Sequence, residues 1–373
     1  MKKKIVFLTG TRADFGKLKP LIEAARSNEQ FEVHIFATGM HMDEKYGLTV
    51  NEIKKCGFDN IYQFINHNEE SFMDITLAKT IDGFAKYIHQ MQPDLIVVHG
   101  DRVEALAGAT VGALNNILVA HIEGGELSGT VDELIRHAIS KLSHTHFVAN
   151  EDAMKRLIQM GELESSIYLI GSPDMDVMLS GKLPSWEFVK EKYELPFEDF
   201  GIAMFHPVTT EINSMEEYAE SFVKTLENSQ QNFIVIYPNN DKGSEFILSK
   251  LKRLENNHRF KLFPSVRFEN FLVMMKHSKF IVGNSSAGIR EAPYYGLPTV
   301  NVGSRQNRRT NNPDIIHVDY SEKEILNGIK KASQIEIEPK KLFGDGKSNE
   351  KFLNIILENK FWQIAKQKQF KDG

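Results

Sequence analysis

Cysteine is almost missing from this 373-residue chain, with Cys56 the only one. A single thiol excludes a disulfide framework and any multi-thiolate zinc site, and it fits a reducing compartment. Long apolar runs are missing too, and no stretch approaches the ~18 residues that a membrane span requires. Lys2-Lys3-Lys4 followed by Ile5-Val6-Phe7-Leu8 starts like a secretion signal. The apolar stretch then stops at Thr9-Gly10, short of the ~7–15 residues of such a segment. A cytoplasmic protein is expected. Basic charge is not in excess: 45 Lys+Arg against 50 Asp+Glu give a formal charge of −5, which argues against a general nucleic-acid binder. There is no internal repeat of short period and no low-complexity segment. Both glycine-rich nucleotide fingerprints are absent. No G-x-G-x-x-G occurs, and Gly10-Thr11-Arg12-Ala13-Asp14-Phe15-Gly16-Lys17 has five residues between its glycines and Leu18 after the lysine, where a P-loop needs four and Ser/Thr.

What is present is an ordinary globular composition, 41% hydrophobic and 25% charged, at a length that suggests two domains. Short β-rich runs at 4–9, 31–37, 94–99, 117–122 and 144–149 alternate with helical segments. In 15–25, Leu18, Leu21, Ile22 and Ala25 form one helical stripe, and 103–114 has the Ala/Leu content of a buried crossover helix. Near-continuous apolar strands separated by helices indicate a parallel sheet covered on both faces. After Leu169-Ile170-Gly171-Ser172-Pro173 the pattern restarts, with strands expected at 201–205, 232–237, 260–263, 280–282 and 298–302. The expected fold class is α/β, two doubly wound lobes with an interlobe cleft as the default site. The first lobe is assigned to 1–172 and the second to 173–349. Residues 340–349 read as a polar loop, and a helical segment with Trp362 runs through 350–369, within a last piece spanning 350–373.

The candidate chemistry lies at strand ends. Gly10–Lys17 is a tight turn at a helix start with Arg12 projecting, a plausible anion contact. Asp101 and Arg102 follow one buried strand, and Glu123 follows the next, before Gly124-Gly125-Glu126. Asp132, Glu133, Arg136 and His137 open the helix after that. Carboxylates at adjacent strand ends converge in one site, where like charge and desolvation separate their pKa values into a general acid and a general base. Taken singly, each acid has a plainer reading: Asp132 and Glu133 favour a helix dipole, and Asp101 pairs with Arg102. His99-x-Asp101 and His121-x-Glu123 carry groups suited to a divalent ion. Gly100 disfavours the shared face that ligation needs, so packed histidines are the preferred reading and no metal is expected.

The second half carries anion signals. His206-Pro207-Val208-Thr209-Thr210 follows its first strand, and Tyr237-Pro238-Asn239-Asn240-Asp241 follows the next. Gly283-Asn284-Ser285-Ser286-Ala287-Gly288 opens a helix whose small residues let backbone N–H groups approach a phosphate, although Ser285 and Ser286 equally suit N-caps. Glu291, about two turns into that helix, is placed for a ribose diol. Arg305 adds a cation after the following strand.

Taken in order, Gly10-Thr11-Arg12-Ala13-Asp14-Phe15-Gly16, His99-Gly100-Asp101-Arg102, His121-Ile122-Glu123-Gly124-Gly125-Glu126-Leu127-Ser128-Gly129-Thr130, Ile135-Arg136-His137, His206-Pro207-Val208-Thr209-Thr210 and Gly283-Asn284-Ser285-Ser286 through Glu291 resemble the UDP-N-acetylglucosamine 2-epimerases. The resemblance is to the hydrolysing branch that supplies N-acetylmannosamine for sialic acid synthesis, and it runs from about residue 4 to about residue 320. The Gly-Thr-Arg-Pro-Glu start and Asp-Ser-Gly-Gly turn of the non-hydrolysing branch are not found. The resemblance implies a glycosyltransferase-B-like fold of two Rossmann-like lobes with a last helix crossing back to the first. It also implies a homodimer and a reaction that needs no metal or nicotinamide cofactor. By motif, Arg12, Arg102, His206, Asn239, Ser285, Ser286, Glu291 and Arg305 would hold UDP. Asp101, Glu123 and Asp132 would be the catalytic carboxylates, with His41, Arg136 and His137 near the sugar. Some members carry Asp-Asp where this chain has Asp132-Glu133, which leaves Glu133 without an assigned role.

The reaction so implied is loss of UDP from C1, removal of the C2 proton to give 2-acetamidoglucal, and syn addition of water. Three alternatives remain at this level: a hydrolysing epimerase for UDP- or GDP-N,N′-diacetylbacillosamine, a retaining glycosyltransferase, and a nucleotide-sugar-binding protein without turnover.

Overall fold

The computed structural model describes residues 2–66, 72–128, 131–239, 241–307, 309–310, 312–369 and 371. Two compact units are found. The first comprises Met1–Glu126, Asp132–Ser180 and Phe343–Gly373; the second comprises Leu127–Val131 and Gly181–Leu342.

Unit 1 is a seven-stranded parallel sheet of β1 (Lys3–Thr9), β2 (Phe31–Ala37), β3 (Ile61–Gln63), β4 (Leu95–His99), β5 (Leu118–Ile122), β6 (Thr145–Val148) and β7 (Ile167–Leu169), ordered β3-β2-β1-β4-β5-β6-β7. Unit 2 is a six-stranded parallel sheet of β8 (Gly201–Met204), β9 (Phe233–Ile236), β10 (Phe260–Phe263), β11 (Phe280–Gly283), β12 (Thr299–Val302) and β13 (Ile315–Val318), ordered β10-β9-β8-β11-β12-β13. Both are doubly wound. The chain builds outward from the first strand, then returns to start the other half beside it. The loops after β1 and β4, and after β8 and β11, therefore diverge and leave a crevice at the carboxyl ends.

The central strands are those that read most clearly in sequence. All five residues of β4 and all five of β5 are buried. The helix that joins them, Val103–Leu114, lies so close that a Cβ on Gly112 would meet Val119 Cγ2 at 2.3 Å. Three strands go unanticipated, namely β3, β7 and β13, and all three are sheet edges. They are only three or four residues long, and each keeps half-buried or exposed residues on its open side.

The expected lobe boundary after residue 172 is shifted. The helix Pro173–Leu179 belongs to unit 1, because its buried Asp174 pairs with Lys17 at 2.9 Å and its buried Asp176 caps another unit 1 helix. That second helix, Ser348–Leu357, also departs from expectation. It ends at Leu357 and is followed by a short 3-10 turn, Asn359–Gln363, where a helix through 369 was anticipated. The turn is favoured because it buries Phe361 completely and lets the Trp362 indole N–H donate to the Ile356 carbonyl at 2.8 Å. Phe352, Ile356 and Phe361 complete the core around Ile5, Phe7 and Phe147, with the Phe352 and Phe147 ring centroids 4.9 Å apart.

At the start of Ser348–Leu357, the Asp176 carboxylate accepts from the backbone N–H groups of Ser348 (2.9 Å) and Asn349 (2.7 Å) and from the Ser348 hydroxyl (2.8 Å). These are donors that the helix itself cannot satisfy. Replacing Asp176 with alanine is expected to cost about 1–2 kcal/mol of stability, the scale of a lost cap. An unchanged urea midpoint in this variant would contradict the assignment.

Candidate active site

In unit 1, the turn after β1 is built by Asp14. Its carboxylate accepts from the N–H groups of Gly10 (2.9 Å) and Thr11 (3.0 Å), while the Thr11 hydroxyl accepts from the Asp14 N–H at 3.1 Å. This reciprocal capping starts the helix Arg12–Arg26 and sets Arg12 at its first position, half-buried. One turn further, Lys17 places its ammonium 2.9 Å from Asp174 and 4.0 Å from Glu123. Sequence reasoning passed over Lys17 because it tested that lysine only against the P-loop pattern.

The ends of β4 and β5 are joined through one side chain. Arg136, 2% exposed, donates from one terminal nitrogen to the Asp101 carboxylate and from the other to the Glu123 carbonyl at 2.8 Å. Glu123 itself adopts a left-handed backbone (φ 63), a strained conformation for a residue with a side chain. Its buried carboxylate accepts from the Ser172 hydroxyl and lies 3.2 Å from His99 Nε2. Asp101 is the more accessible of the two acids, its side chain 25% exposed against 4% for Glu123. Asp132 lies in the first turn of the helix Val131–Leu142, one turn ahead of Arg136. Glu133 lies one turn ahead of His137 and 3.6 Å from it. Arg102 occupies the residue before the helix Val103–Leu114 and meets Glu104 at 3.3 Å. Gly129 and Thr130 of the expected motif lie outside the described residues.

The histidines divide by placement. His121 donates from Nε2 to the Gly100 carbonyl (2.7 Å) and accepts at Nδ1 from the Ser140 hydroxyl (3.0 Å). Burial pulls its pKa down to about 3. It is a packed, neutral residue that ties β5 to the loop bearing Asp101. His41, expected near the sugar, is fully buried instead. Its Nε2 lies 2.9 Å from the Thr9 hydroxyl and its Nδ1 2.7 Å from the Thr49 hydroxyl. Thr9 gives its proton to Asp14, so His41 donates to Thr9 and accepts from Thr49. Burial lowers its pKa to about 4, and its position supports the Asp14 turn from behind.

In unit 2 the loops after four strands are joined. The Asn284 side-chain amide clamps the His206 backbone, accepting from its N–H at 2.6 Å and donating to its carbonyl at 2.8 Å. Gly283, at φ 132, makes this approach possible, since a Cβ there would fall 1.9 Å from the Met204 carbonyl oxygen. His206 Nδ1 accepts from the Asn239 backbone N–H at 3.1 Å, which leaves the proton of the neutral ring on Nε2 as a donor. Burial, and then the Arg305 charge, push its pKa down to about 3. Arg305 and Gln306 both donate to the Asn284 carbonyl, at 3.3 and 2.8 Å. The Asn239 amide donates to Asp241, and Asn240 lies outside the described residues.

Ser285 and Ser286 are half-buried, and the Ser285 hydroxyl accepts from the Ala287 N–H at 3.3 Å, as a cap would. The helix they open, Ala287–Arg290, has only four residues. Buried Glu291 therefore follows its end, where a place two turns in was expected. Sequence reasoning also missed Glu211, which accepts from the Ser304 hydroxyl and from the Tyr320 phenol (2.7 Å) and so binds the His206 loop to the Arg305 loop. No short motif signals it.

Together unit 1 offers the Asp101 carboxylate on a buried guanidinium that also holds the Glu123 backbone, and unit 2 offers a neutral N–H donor beside a guanidinium. The first is equipped to move protons and the second to hold an anion.

His41, His121 and His206, with pKa values depressed to about 4, 3 and 3, carry a pH signature. Each binds a proton more readily unfolded (pKa near 6.5) than folded (about 4 for His41, about 3 for His121 and His206). Their contribution is complete above pH 6.5 and is lost as pH falls towards 4, by up to about 1.4 kcal/mol per pH unit for each. Denaturation midpoints should fall across that window. NMR titration of the three rings should show no inflection from pH 5 to 8, and an inflection near 6.5 would contradict the assignment.

The profile of the family described as UDP-N-acetylglucosamine 2-epimerase matches residues 23–357. A UDP-N-acetylglucosamine 2-epimerase of Neisseria meningitidis serogroup B is 51% identical over 374 residues, covering 99% of each chain. A hydrolysing UDP-N,N′-diacetylbacillosamine 2-epimerase of Legionella pneumophila is 35% identical, covering 95% of this chain and 96% of its own. In fold, the chain is similar to the Methanocaldococcus jannaschii UDP-GlcNAc 2-epimerase solved with UDP-GlcNAc and UDP, with a TM-score of 0.82 at 21% identity over 95% of this chain and 99% of that one. The match along most of the sequence, and the 51% identity over nearly all of it, establish that this chain belongs to the UDP-N-acetylglucosamine 2-epimerase family.

Proposed function

We propose that the protein is a hydrolysing UDP-N-acetylglucosamine 2-epimerase that converts UDP-GlcNAc and water into N-acetylmannosamine and UDP. The observation that carries the reading is the Arg136 bridge, which holds Asp101 and the Glu123 backbone in one cluster with a buried counter-charge.

The C2 proton of the sugar is not acidic in the ground state, because no carbonyl adjoins it. Departure of UDP breaks the C1–O bond, and the developing positive charge at C1 acidifies that proton. A carboxylate of the Asp101/Glu123 pair takes it and leaves the C1–C2 double bond of 2-acetamidoglucal. Water then adds syn, hydroxyl to C1 and a proton to C2 from the face opposite the one that lost it, which gives the manno configuration. Asp132 is the third carboxylate of the proposal, with Arg136 and His137 near the sugar.

The UDP is assigned to Arg12, Arg102, His206, Asn239, Ser285, Ser286, Glu291 and Arg305. The neutral His206 Nε2–H and the Arg305 guanidinium suit the negative charge that grows on the departing diphosphate, where a preorganised donor contributes on the order of 3–4 kcal/mol. The proposal also includes a cytoplasmic homodimer that turns over without added metal or nicotinamide.

The diacetylbacillosamine reading is the second choice. It is favoured by the 35% identical Legionella relative and outweighed by the 51% identical Neisseria one. A panel of UDP-GlcNAc and UDP- and GDP-N,N′-diacetylbacillosamine decides the matter, with the highest kcat/KM expected for UDP-GlcNAc. Asp101→Asn and Glu123→Gln should each lower kcat by at least ~100-fold, the usual scale for acid/base groups, and near-normal turnover in both would remove their roles. His206→Ala should bind UDP more weakly by calorimetry, and an unchanged affinity would count against its place in the diphosphate contact.

A further inference from the structure

A second buried charged cluster lies in unit 1, and the reaction as proposed makes no use of it. Glu162, 1% exposed, accepts from His146 Nε2 (2.9 Å), from Lys141 (2.8 Å) and from Lys368. Burial pushes the Glu162 carboxyl up, but these donors outweigh it and hold its pKa at about 2. Lys368 comes from more than 200 residues along the chain. Its ammonium has three protons and meets three oxygens: the Glu162 carboxylate, the Ser143 carbonyl at 2.7 Å and the Ser140 carbonyl at 3.2 Å. A second tie lies two residues away. His144 accepts the Val119 N–H at Nδ1 (3.0 Å) and donates from Nε2 to the Lys366 carbonyl at 2.9 Å.

The carbonyls that Lys368 engages lie at the carboxyl end of the helix Val131–Leu142, where backbone oxygens lack helical partners and a cation is favoured. This helix carries Asp132, Arg136 and His137. Ser140 lies one turn beyond Arg136, and its hydroxyl donates to His121, which donates in turn to the Gly100 carbonyl beside Asp101. The end that Lys368 grips is thus one turn from the guanidinium that sets the carboxylates.

We propose that Lys368 is a positioning residue for the reaction: by gripping the Ser140 and Ser143 carbonyls against Glu162, it fixes where the helix Val131–Leu142 sits and hence where Arg136 holds Asp101 and Glu123. The inference rests on the functional reading above, and it extends that machinery to a segment far away in sequence that touches none of the groups assigned to the substrate.

The test compares Lys368→Met, Lys368→Arg and Lys141→Met in the full-length protein. Lys141 shares Glu162 but reaches the Met160 carbonyl and not those of Ser140 and Ser143, so it controls for loss of charge alone. Lys368→Met should lower kcat for UDP-GlcNAc roughly 10- to 100-fold, the cost of slightly misplaced catalytic groups, with UDP affinity by calorimetry unchanged. Lys368→Arg should restore most of the rate, and Lys141→Met should keep it. Amide hydrogen exchange over 131–142 should speed up in Lys368→Met and not in Lys141→Met. Should Lys368→Met fail to fold, Lys368→Gln takes its place with the same expectations. Wild-type kcat in the Met or Gln variant, an equal loss in Lys141→Met, or no rescue by arginine would overturn the proposal. The exchange readout keeps the two claims separate. Unaltered exchange overturns this proposal whatever the substrate, whereas a wild-type protein inert towards UDP-GlcNAc overturns the functional reading.

Discussion

A guanidinium removed from water must be matched by charge and by acceptors, or the fold bears the cost. Arg136 meets that demand with the Asp101 carboxylate and the Glu123 carbonyl, and in doing so it fixes the ends of β4 and β5 relative to the helix Val131–Leu142. Removing one partner of such a buried pair costs about 3–5 kcal/mol, because the other charge is left uncompensated. The same cost makes the arrangement stiff. The Asp101 carboxylate and the Glu123 backbone are therefore held by an interaction that the fold cannot easily give up, and stiffness is what acid/base chemistry requires of its groups. The left-handed backbone of Glu123 agrees with this: the strain persists because its carbonyl, its N–H and its carboxylate are all engaged.

Unit 2 solves a different problem on the same topology. Its switch point, between β8 and β11, holds uncharged imidazole and amide groups joined to one another, with Arg305 attached through the Asn284 carbonyl. Burial keeps His206 neutral and its partner fixes the tautomer. The donor is thereby preset, with no reorganisation needed when negative charge appears nearby. One unit concentrates ionised groups and the other presents an oriented neutral donor beside the Arg305 guanidinium. Their division of labour follows from these residues and not from the shared fold, which by itself specifies no chemistry.

How much of this was legible in the sequence depended on burial. The central strands β1, β4, β5, β8 and β11 carry unbroken apolar runs and were placed within a residue or two. The edges β3, β7 and β13 were not, being only three or four residues long, whereas the edge β10 was placed. Strand order is not encoded in periodicity at all, so the coincidence of the motif loops with both switch points emerged only from the fold. Asp101, Glu123 and Arg136 could be named as a group, yet the sequence suggested Arg102 as the partner of Asp101, since neighbours in sequence are the only pairs it displays. His41 looked like a ligand contact and proved to be a packed residue, since burial of a polar side chain is set by tertiary contacts such as those from Thr9 and Thr49. Lys17 and Glu211 show the converse: contacts to the Glu123 carboxylate and to the Arg305 loop that no motif announces.

The central claim is that acids at the β4 and β5 ends exchange the proton on C2 of the sugar once UDP has left. It is tested most directly by NMR of UDP-GlcNAc incubated with the protein in D2O. The account predicts free N-acetylmannosamine carrying deuterium at C2, together with UDP. Release of a sugar that keeps its original C2 hydrogen and configuration, or no release at all, would contradict it.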